Sequence, residues 1–371
     1  MISFISSIFN IIKYLSLSKK KNYVVFFSES RFYIDHFEDL VLLTKDKHKI
    51  LYITKDKDEF NHFKKITNTL LINNQLILEV LFAFIKCKCI IMTVTDLGNH
   101  LKKSINSNYY IYFFHALSSV TKRYTKEAFK NYDIIFTNGE YQKKELLSIE
   151  KNYNLPKKKI INIGYFFLDK LISKANFGRK INRNVLFAPS WNYDKNLFDD
   201  YGIDIIEILL KNNFLVSLRP HPEHYKRSIE TIKKIKKKFK LIDNFIFDEN
   251  LSNLNSMEKS SLLITDNSAI DMEYMLTFKR PIVQIQYKDK IHNNFDINKN
   301  LETIEDNFKE QFTNKIKIEE IESLPKLINE LLLNNLNLND KVEQFKKKYI
   351  SNINNSSINA AKFILEELFK K

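Results

Sequence analysis

Apolar residues come in short runs separated by stretches with helical spacing, and this alternation recurs through the first half of the chain. Tyr23-Val24-Val25-Phe26-Phe27 reads as a buried strand, followed by a helix near residues 34–43. Ile50-Leu51-Tyr52-Ile53 is the next strand, then a helix near 58–66, a short strand at 69–72 and a helix over 76–85. Further apolar runs occupy 89–94, 109–114 and 134–137, the last ending at Asn138-Gly139. Short apolar runs alternating with helices of about 10–15 residues predict βαβ units and a parallel sheet. Residues 173–184 turn polar, with Gly178 among Lys, Arg and Asn, and read as a linker. A second series opens at Val185-Leu186-Phe187-Ala188, with strands expected at 214–218, 245–247, 262–265 and 282–285. Helices at 204–211 and 229–239 fit between them, and the chain from about 318 reads as helical.

The 371 residues exceed what one hydrophobic core usually serves, so two domains are expected. A 44% hydrophobic content excludes wholesale disorder. With 5 Gly and 6 Pro there is no collagen-like or linker-rich design. Neither a P-loop nor a G-x-G-x-x-G occurs, so a glycine cradle for phosphate is absent.

The net charge of +15 comes mostly from Lys, in runs such as Lys19-Lys20-Lys21 and Lys236-Lys237-Lys238. Solvated surface faces account for such runs, as do an anionic membrane surface or an anionic substrate. Nucleic acid is not expected as a partner, because no RNP, zinc-finger or helix-turn-helix pattern accompanies the charge. Cys87 and Cys89 have no second Cys pair and no nearby His, which argues against a zinc site; they read as reduced core residues on one face of a strand. At the start of the chain, Ile2, Ile5, Phe9 and Ile12 share a helical face with Phe4, Ile8, Ile11 and Leu15. The stretch is too short to span a bilayer. It fits an amphipathic helix lying in a membrane interface, with Lys19 to Lys21 against anionic headgroups, or a helix docked on the protein's own body.

Three of the 8 His stand at expected strand ends: His115, His221 and His224. A His at the carboxyl end of a parallel strand points into the ligand crevice, and its ordinary pKa suits proton transfer. His221 lies in Arg219-Pro220-His221-Pro222, where two prolines stiffen the turn. Thr265-Asp266-Asn267-Ser268-Ala269 follows a strand, with a helix expected to begin near Ser268. Asp266, Asn267 and Ser268 are all N-cap residue types, and a helix start can hold phosphate without glycines. Glu273, one turn further, is placed either to meet a ribose hydroxyl or to face solvent. Ala188-Pro189-Ser190-Trp191 closes the first strand of the second series, and Trp191 is placed to stack on a base or sugar or to pack between domains.

Taken in order, these segments resemble the CDP-glycerol glycerophosphotransferases, the enzymes that prime and polymerise teichoic acid. Ala188-Pro189-Ser190-Trp191 is similar to the family's Ala-Pro-Thr-Trp stretch. Arg219-Pro220-His221-Pro222 matches its Arg/Lys-Pro-His-Pro motif, and Thr265 to Ala269 resembles its Ser/Thr-Asp-Tyr-Ser-Ser turn. Ile163-Gly164-Tyr165 with Leu168-Asp169 resembles its Gly-x-Pro-Arg-x-Asp segment, and His115 falls at the histidine of its Trp-His-Gly-Thr motif. This sequence departs from the pattern in having Ala116-Leu117-Ser118 after His115, Asn267 for Tyr and Ala269 for the second Ser.

The resemblance implies an α/β GT-B fold of two Rossmann-like doubly wound domains facing across a cleft, with C-terminal helices. The expected division is a helix at 1–21, an acceptor domain at 22–175, a donor-nucleotide domain at 176–317 and C-terminal helices at 318–371. It implies transfer of glycerol phosphate, or a related polyol phosphate, from a CDP-activated donor to a lipid-linked or glycan acceptor at the cytoplasmic face of the membrane, releasing CMP. No cofactor and no metal are called for. His115 and His221 take the catalytic roles. Arg219, Asp266, Asn267, Ser268 and Ala269 bind the donor phosphates, while Ser190, Trp191 and Glu273 bind the nucleotide. The alternative is a GT-B glycosyltransferase of capsule or lipopolysaccharide synthesis that uses a nucleotide sugar.

Overall fold

The computed structural model describes residues 23–369 apart from 96, 100, 108, 193–195, 251, 267, 288–302 and 335–336. The expected helix at 1–21 and the candidate Asn267 lie outside the described residues. The chain divides into two units. The first takes the chain up to Lys170 together with Tyr349–Lys371, and the second takes Leu171–His292 with Glu302–Lys348.

The first unit holds β1 (Tyr23–Ser28), β2 (Lys49–Thr54), β3 (Asn68–Leu71), β4 (Cys89–Met92), β5 (Tyr109–Phe113), β6 (Ile134–Thr137) and β7 (Lys159–Asn162). Their order in the sheet is β3-β2-β1-β4-β5-β6-β7, and every pairing is parallel. The helices between them are α1 (Ile34–Lys45), α2 (Lys57–Phe63), α3 (Gln75–Phe84), α4 (Val120–Arg123) and α5 (Glu140–Asn152), and α6 (Phe166–Lys174) leads out of the unit. β1 shows why its sequence reads as an unbroken apolar run. Val25 and Phe27 enter the core on one face, while Val24 and Phe26 enter the core on the other. A parallel strand covered on both faces has no polar side to show. Cys89 also faces one core and Cys87 the other, so the expected shared face is corrected: β4 begins at Cys89, and Cys87 precedes the pleat.

The second unit repeats the plan with β8 (Asn184–Phe187), β9 (Leu215–Leu218), β10 (Phe245–Phe247), β11 (Leu262–Thr265), β12 (Ile282–Gln286) and β13 (Thr313–Lys317). The order is β10-β9-β8-β11-β12-β13, again parallel throughout. Its helices are α7 (Leu197–Lys211), α8 (His224–Arg227), α9 (Ile229–Phe239), α10 (Leu254–Lys259), α11 (Ile270–Phe278), α12 (Ile304–Phe312), α13 (Leu324–Leu333) and α14 (Asn339–Tyr349). The helix α15 (Ser356–Lys362), continued by a π-helical turn over Phe363–Leu368, belongs to the first unit, where Ala360, Ala361 and Phe363 join the core against α1. After the second unit the described chain therefore returns to the first. Each sheet is doubly wound, and strand order reverses between β1 and β4 and between β8 and β11. Ligands of such sheets bind beyond the strand carboxyl ends at that reversal.

One buried acid is part of this framework. Glu59 is 0% exposed and accepts from the Tyr52 hydroxyl at 2.7 Å and from the Thr54 hydroxyl. Burial lifts its carboxyl from 4.5 to about 7, although the Thr54, Tyr52 and Ser28 hydroxyls pull the other way. The folded chain thus holds this proton more tightly than the unfolded chain does. Stability from this group is full below the ordinary carboxylate range and falls as pH rises towards 7. Glu59→Gln removes that loss. In urea melts the variant is expected to exceed the wild type by on the order of 3 kcal/mol at pH 8, with the gap closing by pH 4.

Candidate active site

At the strand reversal of the second sheet, the loops after β8 and β11 are clasped together. Asp266, 7% exposed, accepts from the Ser190 N–H at 2.7 Å and from the Ser190 hydroxyl at 2.9 Å. The Asp266 carbonyl accepts from the Gln284 amide at 3.1 Å, and the Thr265 hydroxyl reaches the Ala188 carbonyl at 2.7 Å. A buried carboxylate must find donors, and Asp266 finds them in Ser190 rather than in the helix it was expected to cap. The helix itself starts later than the sequence suggests. α11 opens at Ile270 with Ala269 at the N-cap, and no side chain caps it. Ser268 precedes that turn and is partly exposed. Asp266→Ala would leave the Ser190 N–H buried without its acceptor. It is expected to cost about 1–3 kcal/mol in a urea melt, with Asp266→Asn costing less because an amide oxygen still accepts.

His221 stands beside this clasp. Its Nδ1 accepts from the Glu223 N–H at 3.2 Å, which puts the ring proton on Nε2 and makes that nitrogen a donor. The Trp191 indole lies with its centroid 6.0 Å from the His221 ring, and the Arg227 guanidinium sits 5.3 Å from the indole centroid. Arg219 follows β9 and pairs with the buried Asp248 at 2.7 Å. Burial pushes the Asp248 carboxyl up, but the Arg219 guanidinium and the Asn250 N–H outweigh it and hold the group below its ordinary value. The Arg219 charge is thus shared with Asp248, a partner that sequence reasoning missed. Glu273 is 8% exposed with Asn253 Nδ2 at 3.5 Å, so the solvent-facing alternative for it is removed.

His115 belongs to the first unit, just past β5. Its carbonyl accepts from two side chains, His36 Nε2 at 3.1 Å and the Tyr165 hydroxyl at 3.1 Å. Tyr165 is placed by Gly164, whose φ of +107° is reserved for glycine and where a Cβ would stand 2.4 Å from the Ser351 carbonyl. Tyr33 packs its ring edge-to-face on His115 at 5.1 Å, and His36 stacks on Phe167 at 4.8 Å. The Nδ1 atoms of His115 and His36 are enclosed and have no hydrogen-bond partner among the described residues. Burial pushes the His115 imidazole down to about 4. Burial, and then the nearby His115, push His36 to about 3. Both rings are therefore neutral at physiological pH and able to accept a proton. His36 carried no strand-end signal: it sits inside α1, and only the fold brings it to the end of β5.

The structure therefore gathers Ser190, Trp191, His221 and Asp266 at the strand carboxyl ends of the second sheet, with Ser268 and Ala269 in the turn between β11 and α11. It sets His115 among His36, Tyr33 and Tyr165 in the first. The profile of the CDP-glycerol:poly(glycerophosphate) glycerophosphotransferase family matches residues 8–366. Among solved structures, the wall teichoic acid polymerase TagF shares 14% identity over 99% of this chain and 97% of its own, with a TM-score of 0.61. A histidine-to-asparagine variant of TagF soaked with CDPG gives a TM-score of 0.62 at 15% identity, with 99% and 97% covered. MnaA of S. aureus, solved with UDP, gives 0.61 at 11% identity over 94% of this chain and 98% of its own. At these identities the likeness is one of fold. No curated protein sequence matches the chain.

Proposed function

The chain belongs to the CDP-glycerol:poly(glycerophosphate) glycerophosphotransferase family and is a transferase, and we propose that it moves glycerol phosphate from CDP-glycerol to a membrane-bound acceptor with release of CMP. The carrying observation is the convergence of Ser190-Trp191, His221 and Asp266, from three separate segments, at the strand reversal of the second sheet. In this reading the second unit holds the donor. Nε2–H of His221 donates to a diphosphate oxygen, and the turn from Ser268 to Ala269 receives the phosphates at the start of α11. Trp191 and Glu273 meet the nucleoside. The acceptor hydroxyl attacks the phosphorus bearing the glycerol, a new P–O bond forms, and the bond to CMP breaks with its electron pair leaving on CMP. His115 takes the hydroxyl proton. Donors aimed at the leaving phosphate stabilise the charge that develops there.

Trp191 is the only Trp in the chain, so its emission reports donor binding directly. CDP-glycerol is expected to change that emission saturably, with CDP competing. A response to a UDP- or CMP-sugar, and none to CDP-glycerol, would transfer the same site to the glycosyltransferase alternative.

For the acceptor we propose a lipid-linked molecule at an anionic membrane surface, with the protein peripheral on the cytoplasmic face. No described helix is long and apolar enough to cross a membrane. Support comes from α3, which leaves Leu76, Val80 and Phe84 exposed in one row, and from exposed Ile105 on the loop that packs against the end of α3. Lys86 and Lys102 flank these positions. An apolar row edged by lysines suits anionic headgroups. Liposomes rich in anionic lipid are expected to co-sediment the protein, and deleting residues 1–21 or changing Leu76, Val80 and Phe84 to Ser is expected to weaken that binding. Equal binding to neutral and anionic vesicles would count against the proposal.

A further inference from the structure

We propose that His224 is a positioning residue of the donor half-site, held as an imidazolium in a buried relay that fixes the Ser190–Trp191 segment. The relay runs through four elements. His224, 1% exposed, meets the Ser190 carbonyl through Nε2 at 3.2 Å and the Ser228 hydroxyl through Nδ1 at 3.1 Å. The Ser228 hydroxyl in turn donates to Asp199 Oδ2 at 2.7 Å. Asp199, in the first turn of α7, also accepts from Asn196 Nδ2 at 2.6 Å and from the Thr231 hydroxyl at 2.5 Å. On the other side Ser190 is gripped by Asp266. The segment carrying Trp191 is therefore fixed from both directions.

Counting protons settles the charge. A carbonyl only accepts, so Nε2 carries a hydrogen. A serine hydroxyl has a single hydrogen, and that of Ser228 lies on Asp199. The Ser228 oxygen can then only accept from Nδ1, which must carry a second hydrogen. The ring is an imidazolium bridged by one hydroxyl to a carboxylate. Shifting the proton to Asp199 would give the same count, but the Thr231, Ser228 and Asn196 donors hold that carboxyl below its ordinary value despite burial. Among the described residues, charged or titratable groups near His224 include His221, with ring centroids 6.4 Å apart, and Glu223 on its own turn, which is paired with Lys226 and Arg227. From β11, Asp266 reaches it through Ser190, and from α7 the Phe198 ring packs on it at 4.4 Å. Loss of the Nδ1 proton leaves Ser228 with one hydrogen for two acceptors, and the relay opens at one link.

The test uses the emission of Trp191 against pH in the full chain, in a His221→Asn background because the His221 ring lies 6.0 Å from the indole. One titration step is expected. It disappears in His224→Gln, which keeps an amide donor for the Ser190 carbonyl. It moves to lower pH in Ser228→Ala, by about one unit for a lost hydrogen bond of ordinary strength, and stays in place in Ser228→Thr. A step that survives His224→Gln, or a midpoint untouched by Ser228→Ala, overturns the proposal. The kinetic arm, run with His221 intact, rests on the donor reading above: Ser228→Ala raises the KM for CDP-glycerol several-fold with little change in kcat, and an unchanged KM overturns the positioning role. Absence of any turnover of CDP-glycerol beside an intact Trp191 step would sink the donor reading and leave the relay standing.

Discussion

His221→Ala is expected to lower the kcat for CMP release from CDP-glycerol by about 10²–10⁴-fold, the range for loss of a positioned proton donor or acceptor. The expectation comes from the tautomer. The Glu223 N–H occupies Nδ1, so Nε2 is the donating nitrogen wherever the neutral ring is present. Alanine removes that donor. His221→Asn restores a hydrogen-bond donor and is expected to recover part of the loss. Steady-state CMP release measures both, and an unchanged rate in folded His221→Ala removes the role.

His115→Ala is expected to cost a similar about 10²–10⁴-fold, and its pH behaviour sets it apart. A general base must be unprotonated to work. Burial pushes the His115 ring down to about 4, so the base form persists at every pH above that. The acidic limb of kcat/KM set by this group therefore falls near pH 4 rather than at the ordinary histidine value. The same burial weakens the base, and its proton affinity must rise as negative charge approaches in the complex. His36→Phe keeps the stacking on Phe167 but removes one of the two donors to the His115 carbonyl, and a smaller loss is expected there. A His115→Ala profile that keeps the wild-type rate and acidic limb would exclude the base role.

Much of the framework could be read from the chain because parallel strands buried on both faces announce themselves. β1, β2, β6 and β11 each lie in runs of Val, Ile, Leu, Phe and Tyr. The strands that went unread, β7 and β13, are two of the four edge strands. Lys159–Asn162 and Thr313–Lys317 have solvent on one side and carry Lys and Asn, so they lack the apolar run that marks a buried strand. The family motifs also marked His221, Ser190 and Asp266, since those residues sit directly after strands. What the sequence hides is pairing at a distance. Nothing near Arg219 points to Asp248, nothing near His115 points to His36, and nothing near His224 points to Asp199. These partners lie on other elements and meet only once the sheets are wound. The start of α11 was misplaced for a related reason: Asp266 has an N-cap side chain, but tertiary contact with Ser190 claims it first.

The most direct measurement is CMP release by the purified full chain from CDP-glycerol, with and without a membrane-extracted lipid acceptor, run beside a panel of UDP- and CMP-sugars. The account predicts acceptor-dependent CMP from CDP-glycerol, lowered about 10²–10⁴-fold in His221→Ala, and none from the sugars. Nucleotide release confined to a sugar donor would contradict the glycerophosphotransferase reading.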